Sequence, residues 1–292
     1  MKAVIPAAGL GVRFLPLTKE QPKEMLPVVD RPAIHWVIEE AVLSGIDDIL
    51  IITGREKRAI EDYFDSSYKL AHFLKTNHSN GENGLEALDA LRAKVDIHYI
   101  RQREPKGLGD AILHAEKHVG NEPFVVMLGD TINVAPVPVA KQLIDSHAWL
   151  GASVIAIEKV RPEKISSYGI VAGAMKGERV LLIDELVEKP SREEAPSDWG
   201  ISGTYVLTPR IFDCLRRTPP SKGSEVQLTD ALRLLRREEP VYGYIFDGRR
   251  YDIGTKLDWL KAHLELSLTR EEFREPLVRF LKEWFDNEGR AQ

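Results

Sequence analysis

The first apolar run of the chain is followed by residues that are typical of a phosphate site. In the stretch AAGLGVRFLPLTKEQPKEML, Gly9 and Gly11 flank a leucine, and the cations Arg13 and Lys23 come after them. Glycines allow backbone N–H groups to approach a phosphate closely. The stretch lacks the third glycine of the dinucleotide-binding fingerprint, where Phe14 stands, and it lacks the Gly-Lys-Ser/Thr of a P-loop. The glycines alone would equally suit a tight strand–helix turn.

Two aspartates follow segments that are typical of strands, and they are candidates for binding a divalent cation. Asp130 ends the run VVMLGD, and Asp252 lies in YDIGT. Mg²⁺ prefers a few carboxylates combined with phosphate oxygens and water, and parallel sheets bind ligands at the carboxyl ends of their strands. An isolated aspartate after a strand is more often a turn or capping residue, so the spacing alone leaves both interpretations open.

Composition limits the classes of protein to which the chain can belong. Its 292 residues are 43% hydrophobic and 29% charged, with a net charge of −5. We therefore expect no nucleic-acid or membrane partner, and a polyanion must be held by a few local cations. The single cysteine, Cys214, excludes an internal disulfide and favours a cytoplasmic location. The N-terminal apolar run is too short for a secretory signal, and no run approaches the roughly 18 apolar residues of a spanning helix.

The segments that must position these residues alternate between strand and helix up to Asp130. Runs such as DILIIT are typical of buried strands, and AIHWVIEEAVLSG has the spacing of an amphipathic helix. This alternation predicts an α/β, Rossmann-like fold with a mixed, mainly parallel sheet flanked by helices. After Asp130, shorter strand-like segments and two helices predict a smaller antiparallel extension, and the chain ends in C-terminal helices.

The C-terminal segment carries a stripe of apolar residues at helical spacing. We predict that this stripe packs in the core, with a subunit contact as the alternative. The polar segments KTNHSNGENG and SREEAPSD are candidates for mobility. His114 and His118 are one helical turn apart, but no third zinc ligand is evident, so we interpret them as a partly solvated helix face. The apolar stripe consists of Phe273, Leu277, Val278, Phe280, Leu281, Trp284 and Phe285.

An ordered series of motifs resembles the signature of the sugar-phosphate nucleotidyltransferases, most closely the UTP–glucose-1-phosphate uridylyltransferases of bacterial and archaeal type. The series begins with AAGLGVRFLPLTKEQPKEMLPVVDRPAI and continues through IRQREPKGLGDAI, VVMLGDT, YGIV, VEKP, SEVQLTDAL and YDIGTKLDWLKA. RAIEDYFDSSYKLAHFL is similar to the segment that separates this family from its thymidylyl- and adenylyl-transferring relatives. Val12 departs from the pattern, because threonine is usual before the arginine. Enzymes of this family join a nucleoside triphosphate to a sugar 1-phosphate and release pyrophosphate.

The resemblance implies a role for each residue of a nucleotide site. The backbone of the glycine loop would cradle the triphosphate, while Arg13 and Lys23 would act catalytically by neutralising the phosphates and the departing pyrophosphate. Uracil would be recognised by Gln102 and by the backbone around Gly107, because a side-chain amide both donates and accepts hydrogen bonds. The nucleotide-binding residues that it implies are Ala8, Gly9, Gly11, Glu24, Gln102, Gly107 and Asp130.

The resemblance also implies a sugar-phosphate site and a metal site. Glu188 would accept hydrogen bonds from sugar hydroxyls, and Lys189 would hold the sugar phosphate and act catalytically. Adjacent strand residues point to opposite faces, so both can serve one ligand only if the strand ends or twists there. Gly169 and Gly203 would let the backbone approach the sugar. Mg²⁺, the implied cofactor, would be held by Asp130 and Asp252.

These roles divide the chain into a nucleotide-binding half over residues 1–130, a sugar-phosphate-binding half of the same domain over 131–254, and C-terminal helices over 255–292. The expected partners are UTP and glucose 1-phosphate, and the expected assembly is a homodimer or homotetramer. Uracil and thymine differ by one methyl group, so a dTTP-using or base-promiscuous enzyme is an alternative. A non-catalytic nucleotide-sugar-binding regulatory protein is the alternative from another class, and a dehydrogenase is disfavoured by the missing third glycine.

Overall fold

The computed structural model describes residues 1–77, 82–221 and 223–288. Within these ranges the chain alternates strands and helices along much of its length, as the sequence predicts. The strands are β1 Lys2–Pro6, β2 Pro27–Val28, β3 Arg31–Pro32, β4 Asp48–Thr53, β5 Asp96–Arg101, β6 Phe124–Met127, β7 Thr131–Val134, β8 Ser153–Lys159, β9 Gly169–Met175, β10 Val180–Glu188, β11 Trp199–Leu207, β12 Val241–Ile245 and β13 Arg249–Asp252. The helices are α1 Ala33–Leu43, α2 Arg58–Phe64, α3 Tyr68–Asn77, α4 Glu82–Arg92, α5 Leu108–Leu113, α6 Glu116–Val119, α7 Val139–Leu150, α8 Arg210–Arg217, α9 Leu228–Leu235, α10 Lys256–Thr269 and α11 Glu271–Glu288.

One mixed sheet organises the described residues, in the strand order β5-β4-β1-β6-β11-β8-β12-β10-β9. Strands β5, β4, β1 and β6 are parallel to one another, and β12 is parallel to β8. Strand β11 runs antiparallel to β6, β8 and β9, and β10 runs antiparallel to β9 and β12. The predicted α/β, Rossmann-like fold with a mixed sheet, flanking helices and an antiparallel extension is therefore confirmed, and the extension continues the same sheet.

Helices cover both faces of this sheet because its central strands are apolar on both sides. Leu50 and Ile52 of β4 pack with α5, α6, α8 and α9, whereas Ile49 and Ile51 of the same strand pack with α1, α2 and α7. Alternating side chains of one strand thus enter two separate cores, which is why such strands read as continuous apolar runs. Helix α7 belongs to the second core, although the sequence reasoning did not identify it.

A third, smaller core anchors the segments around the first loop. Phe14, Val28, Ile132, Ile253 and Leu266 are buried together, so this core joins the first loop and β2 to β7, to the residue after β13 and to α10. Strands β7 and β13 form their own antiparallel pair, as do β2 and β3. The pairing of β7 with β13 connects the middle of the chain to its C-terminal part.

The prediction that the C-terminal apolar stripe is core is wrong. Helix α11 exposes Phe280 and Phe285 at 60% and 64%, and Trp284 at 45%. Its neighbour α10 docks through buried Ala262 and Leu266. The periodicity identified the helix correctly, but an apolar helix face need not be covered by the same chain.

Three individual segments can also be compared with the sequence predictions. His114 and His118 do not lie on one continuous helix, because α5 ends at Leu113 and α6 begins at Glu116. Part of the candidate mobile segment KTNHSNGENG lies outside the described residues. Among the residues that are described, no helix is long and apolar enough to cross a membrane.

Candidate active site

A cleft of about 570 Å³ opens at the carboxyl end of the parallel strands. Its size lies in the range of small-molecule sites. Residues of the loops after β1, β5 and β6 line one side, and residues of β9, β10 and β11 with the start of α9 line the other. The structure brings all of the predicted site residues into this one cleft. They are Ala8, Gly9, Gly11, Arg13, Lys23, Glu24, Gln102, Gly107, Asp130, Gly169, Glu188, Lys189, Gly203 and Asp252.

The loop after β1 has the backbone conformation that its glycines permit. Gly11 adopts a φ of 66°, in the left-handed region, and a Cβ at this position would lie 3.3 Å from side-chain atoms of Lys23 and Thr18. The Thr18 hydroxyl donates a hydrogen bond to the Gly11 carbonyl at 2.7 Å and holds the loop in place. Arg13 lies in the following 3₁₀ turn, which is anchored by the buried ring of Phe14.

Two ion pairs lie at the cleft, whose lining includes Lys23, Glu24 and Asp130. Lys23 donates a hydrogen bond to Asp130 Oδ2 at 2.5 Å, and Lys57 donates one to Glu24 Oε2 at 2.8 Å. Burial alone would lower the pKa of Lys23, but the carboxylates of Asp130, Glu24 and Asp252 outweigh it and raise that pKa above its usual value. Lys23 therefore keeps its positive charge at physiological pH.

Glu24 is among the residues that line the cleft, yet it is only 1% exposed. Burial raises the pKa of Glu24, while the ammonium groups of Lys57 and Lys23 oppose that rise. The sequence reasoning expected Glu24 near the nucleotide. Its carboxylate is hydrogen-bonded to Lys57, a residue that the sequence reasoning did not single out, and its negative charge helps to raise the pKa of Lys23.

The pairing of β7 with β13 brings Asp252 to the same cleft as Asp130. The N–H of Ile253 donates to the carbonyl of Asp130 at 3.0 Å. The Asp252 carboxylate accepts a hydrogen bond from the Tyr168 hydroxyl at 2.7 Å and lies 3.9 Å from Arg250 Nη1. Burial raises the pKa of Tyr168 to about 12, so its hydroxyl remains a donor and fixes the orientation of Asp252.

These two aspartates fit a hard divalent cation. Both are carboxylates that line the cleft beside the glycine loop, and they offer only oxygen donors. A cation such as Mg²⁺ completes its coordination with phosphate oxygens and water, which the cleft has room to admit. The chemistry of the donor set therefore agrees with the metal role that the sequence predicts.

Gln102 is held rigidly at the end of β5. Its Nε2 donates hydrogen bonds to the Gly107 carbonyl at 3.2 Å and to Asp110 Oδ2 at 2.6 Å. Both amide protons are used, so Gln102 can meet a base only through its carbonyl oxygen, as an acceptor. Gly107 has a φ of 93°, and a Cβ there would meet the Val226 carbonyl at 2.8 Å, so a glycine is needed for this loop to pack.

Glu188 and Lys189 reach one side of the cleft because the strand ends between them. Strand β10 stops at Glu188, and Lys189 has a φ of 44°, which is uncommon for a residue with a side chain. The Lys189 ammonium lies 3.1 Å from Glu188 Oε1, and Thr229 donates to Glu188 Oε2 at 2.6 Å. The expected strand ending is thus confirmed.

The two remaining glycines make room for neighbouring protein groups. A Cβ on Gly169 would lie 3.0 Å from Thr229 Oγ1 and 3.2 Å from Glu188 Oε2. A Cβ on Gly203 would lie 3.0 Å from Leu128, whose N–H donates to the Gly203 carbonyl at 3.1 Å. Both glycines line the cleft, and both also position the groups around it.

Several functional residues were missed by sequence reasoning. Lys57, Thr229 and Asp110 support residues that were predicted, but their hydrogen-bond partners lie 33, 41 and 8 residues away in the chain. Arg250, in the segment FDGRRYD, was also missed. Its side chain is 7% exposed. The available signal was its position in the sequence, two residues before Asp252.

The chain belongs to the nucleotidyl transferase family, whose model matches residues 2–268. Enzymes of this family generally use a divalent metal. The family match covers the cleft and confirms the resemblance seen in the ordered motifs.

Within this family the chain is similar to curated bacterial relatives over nearly its whole length. It is 49% identical to UTP–glucose-1-phosphate uridylyltransferase YngB of Bacillus subtilis over 282 residues, covering 97% of this chain and 94% of the relative. It is 47% identical to a UTP–glucose-1-phosphate uridylyltransferase of Streptococcus pyogenes over 285 residues, covering 96% and 93%.

The chain is also similar to solved structures of UDP-glucose pyrophosphorylases. A UDP-glucose pyrophosphorylase complexed with UDP-glucose matches with a TM-score of 0.85 and 42% identity, covering 92% of this chain and 99% of that one. A UTP-bound UDP-glucose pyrophosphorylase from Acinetobacter baumannii matches with a TM-score of 0.86 and 35% identity, covering 97% and 98%.

Proposed function

We propose that the protein transfers the uridylyl group of UTP to glucose 1-phosphate, giving UDP-glucose and pyrophosphate. One observation carries the proposal: a single cleft combines a glycine loop, the cations Arg13 and Lys23, and the carboxylates Asp130 and Asp252. Relatives that are 47–49% identical over nearly the full length and are named for this reaction support the same conclusion.

The reaction needs positioning and charge neutralisation more than covalent catalysis. A phosphate oxygen of glucose 1-phosphate attacks the α-phosphorus of UTP; the new P–O bond forms as the bond to the bridging oxygen breaks, and pyrophosphate leaves. The attacking oxygen is already anionic, so no strong general base is required. Lys23 and Arg13 neutralise the phosphates, and Lys23 can do so at neutral pH because its neighbours keep it charged.

Mg²⁺ is the divalent cation that we assign to Asp130 and Asp252. When bound, it supplies Lewis-acid stabilisation of phosphate oxygens. Tyr168 and Arg250 orient the Asp252 carboxylate for this role, and Asp130 would bind the ion while it also accepts a hydrogen bond from Lys23.

The two halves of the cleft divide the substrates. Residues 1–130 hold the nucleotide, with the loop of Ala8–Gly11 at the triphosphate and the Gln102 carbonyl oxygen accepting from the imide N–H of uracil. Residues 131–254 hold the sugar phosphate, where Glu188 accepts from sugar hydroxyls and Lys189 binds the phosphate. This division is supported by the hydrogen bonds that occupy both amide protons of Gln102, which lines the cleft, and by the strand end at Glu188.

The deciding experiment measures pyrophosphate release with Mg²⁺ while UTP, dTTP, ATP, CTP and GTP are crossed against glucose 1-phosphate and its isomers. Release confined to UTP with glucose 1-phosphate is the expected result. Comparable release with dTTP would mark the base site as permissive, since one methyl group is worth only about 1–3 kcal/mol in a pocket. If folded protein releases no pyrophosphate with any pair of substrates, the result would favour a nucleotide-sugar-binding protein.

The metal assignment has its own test in the Asp130→Asn variant. It removes the negative charge that faces Lys23 and the metal, so we expect kcat to fall at least about 100-fold with the circular dichroism spectrum unchanged. Asp198→Asn is the matched control, because Asp198 is an exposed partner of Lys159 outside the cleft. Normal turnover in Asp130→Asn would contradict the metal role.

We further infer that the protein is cytoplasmic and assembles as a homodimer or homotetramer. The exposed apolar side chains of α11, among them Phe280 and Phe285, support the assembly, because large apolar patches rimmed by polar residues mark interaction surfaces. The single cysteine supports a reducing compartment.

A further inference from the structure

At the amino end of the parallel strands, opposite the cleft, three possible metal ligands converge. Asp48 is the first residue of β4, His98 lies on the neighbouring β5, and His118 lies on α6, which packs over them. One oxygen of Asp48 and one ring nitrogen of each histidine all lie within 4.8 Å of one another. The proposed reaction does not use this cluster.

The fold itself places these side chains together. Asp48 pairs with Asp96 and Leu50 pairs with His98 in the parallel register of β4 and β5, so Asp48 and His98 project from the same face of the sheet. That face is the one covered by α5 and α6. Sequence reasoning saw His118 only with His114 and found no third ligand, because the partners lie 70 and 20 residues away in the chain.

The separations suit one ion with little rearrangement. Asp48 Oδ1 is 2.7 Å from His118 Nε2 and 3.9 Å from His98 Nε2. Ligands bound at about 2.1 Å to a tetrahedral ion lie about 3.4 Å apart, a value between these two distances. The His98 side chain is 52% exposed, so its ring can rotate by the small amount required and leaves a path for the ion and for water ligands.

Lys2 completes the surroundings and sets their charge. Its ammonium lies 3.7 Å from Asp48 Oδ2 and donates to the His118 carbonyl at 2.6 Å, so it holds the far oxygen of the carboxylate and leaves Oδ1 facing the histidines. Carboxylate ligands are commonly oriented by such outer partners. The same positive charge opposes a bound cation and weakens its affinity.

We propose that Asp48, His98 and His118 form a binding site for a divalent transition metal of the zinc class, separate from the catalytic site. Two imidazoles and one carboxylate favour Zn²⁺, Co²⁺ or Ni²⁺ over Mg²⁺, which prefers oxygen ligands. Strand β4 is six residues long, so the site lies about 20 Å from the cleft along the strand direction. The ion ties β4, β5 and α6 together and stabilises the fold without entering the reaction.

The test is a Co²⁺ titration of tag-free, chelator-treated protein in excess Mg²⁺, followed by the visible absorption of bound Co²⁺ and by the ring signals of the histidines in NMR spectra. We expect one Co²⁺ per chain outside the cleft, broadening of the His98 and His118 signals, and a higher melting temperature. His98→Ala keeps the Asp48–His118 hydrogen bond, so it should fold and lose at least about tenfold in affinity while turnover is unchanged. His72→Ala, an exposed histidine on α3, is the matched control.

Lys2→Met should change the Co²⁺ affinity in the direction opposite to His98→Ala. A purely structural role of the cluster would not produce such an increase. The Lys2 ammonium is 3.7 Å from Asp48 Oδ2, beyond hydrogen-bond distance, so the loss of its repulsion should outweigh the loss of orientation and Co²⁺ should bind more tightly. Equal Co²⁺ binding by the wild type and His98→Ala, or histidine signals that do not respond to Co²⁺, would overturn the proposal and leave a hydrogen-bonded Asp–His pair only.

Discussion

Single residues decide what the cleft can hold, and Lys189 is the clearest case. A regular strand would have sent Glu188 and Lys189 to opposite faces. The left-handed backbone at Lys189 turns its side chain toward Glu188, so a carboxylate and an ammonium lie 3.1 Å apart. The motif VEKP located both residues, but the positive φ follows from tertiary contacts, among them the hydrogen bond from the Lys189 N–H to the Tyr168 carbonyl.

The supporting role of Thr229 can be tested through substrate affinity. Thr229→Val removes the hydrogen bond to Glu188 while keeping the side-chain shape, so the carboxylate is less well oriented toward the sugar. A hydrogen bond to a charged group is worth about 1.5–3 kcal/mol, and we expect the KM for glucose 1-phosphate to rise about tenfold with the KM for UTP unchanged. Steady-state kinetics measures both, and Thr218→Val, a buried threonine bonded to the Cys214 carbonyl, is the control. An equal rise for UTP would refute the assignment.

The buried Lys57–Glu24 pair should stabilise the fold as well as position the residues around it. Lys57→Met leaves the Glu24 carboxylate buried and short of a partner, which costs about 3 kcal/mol or more in the free energy of unfolding. Urea denaturation measures the loss. Arg58→Met removes the neighbouring exposed charge, whose pair with Asp62 is worth about 0.5 kcal/mol or less, and serves as the control. If both variants lose the same stability, the pair has no special role.

At the scale of elements, buried polar groups join helices that the sequence does not connect. Glu40 of α1 accepts hydrogen bonds from the Ala140 N–H at 3.0 Å, at the start of α7, and from Asn133 Nδ2 at 3.1 Å, on β7. It thus satisfies an N–H in the first turn of α7, whose N-cap is a proline without a side-chain cap. This explains why α7 escaped sequence reasoning: its N-terminal stabilisation comes from a residue of another helix.

Glu40 should make stability depend on pH in a defined direction. Burial raises the pKa of Glu40 to about 7, although the hydrogen bonds from Ala140 and Asn133 oppose the rise. A carboxyl group with a raised folded-state pKa binds protons more tightly when folded, so its contribution is full below the unfolded pKa and is lost as pH rises toward 7.

We therefore expect the wild type to lose about 3 kcal/mol relative to Glu40→Gln between about pH 4 and pH 7.5. Urea unfolding at several pH values measures the difference. Glu39→Gln, at the adjacent surface position paired with Arg31, should show no such trend. A difference between wild type and Glu40→Gln that stays constant with pH would contradict the raised pKa.

At the scale of the whole molecule, the sequence correctly predicted which strands are buried, because their apolar patterns are local. It did not predict whether the apolar face of a helix is covered, because that depends on which other surface packs against it. The apolar runs of β1 and β4 are buried on both faces, so periodicity and composition sufficed for the sheet. The same reasoning placed the α11 stripe in the core, because an apolar face looks identical whether its own chain or a partner covers it. The order of the motifs predicted the site residues, whereas Arg250 and Lys57 needed the tertiary structure.

Assembly through α11 predicts a change in mass when its apolar side chains become charged. The double variant Phe280→Arg and Phe285→Arg should shift the protein to a monomer in light scattering coupled to size exclusion, because like charges would meet across a symmetric contact. Trp149→Arg, at another exposed aromatic residue, should leave the mass unchanged. A wild type that is already a monomer would refute assembly through this face.

The pairing of β7 with β13 affects when the cleft can form during synthesis on the ribosome. A nascent chain that has not yet emerged beyond Arg249 contains Asp130 but lacks the strand that carries Asp252. Strand β6 also lacks one of its two neighbours until late in synthesis, because β11 lies between β6 and β8 in the sheet. Such long-range pairings form slowly. The cleft is thus completed only after most of the polypeptide has been synthesised, and the protein should acquire its activity near the end of translation.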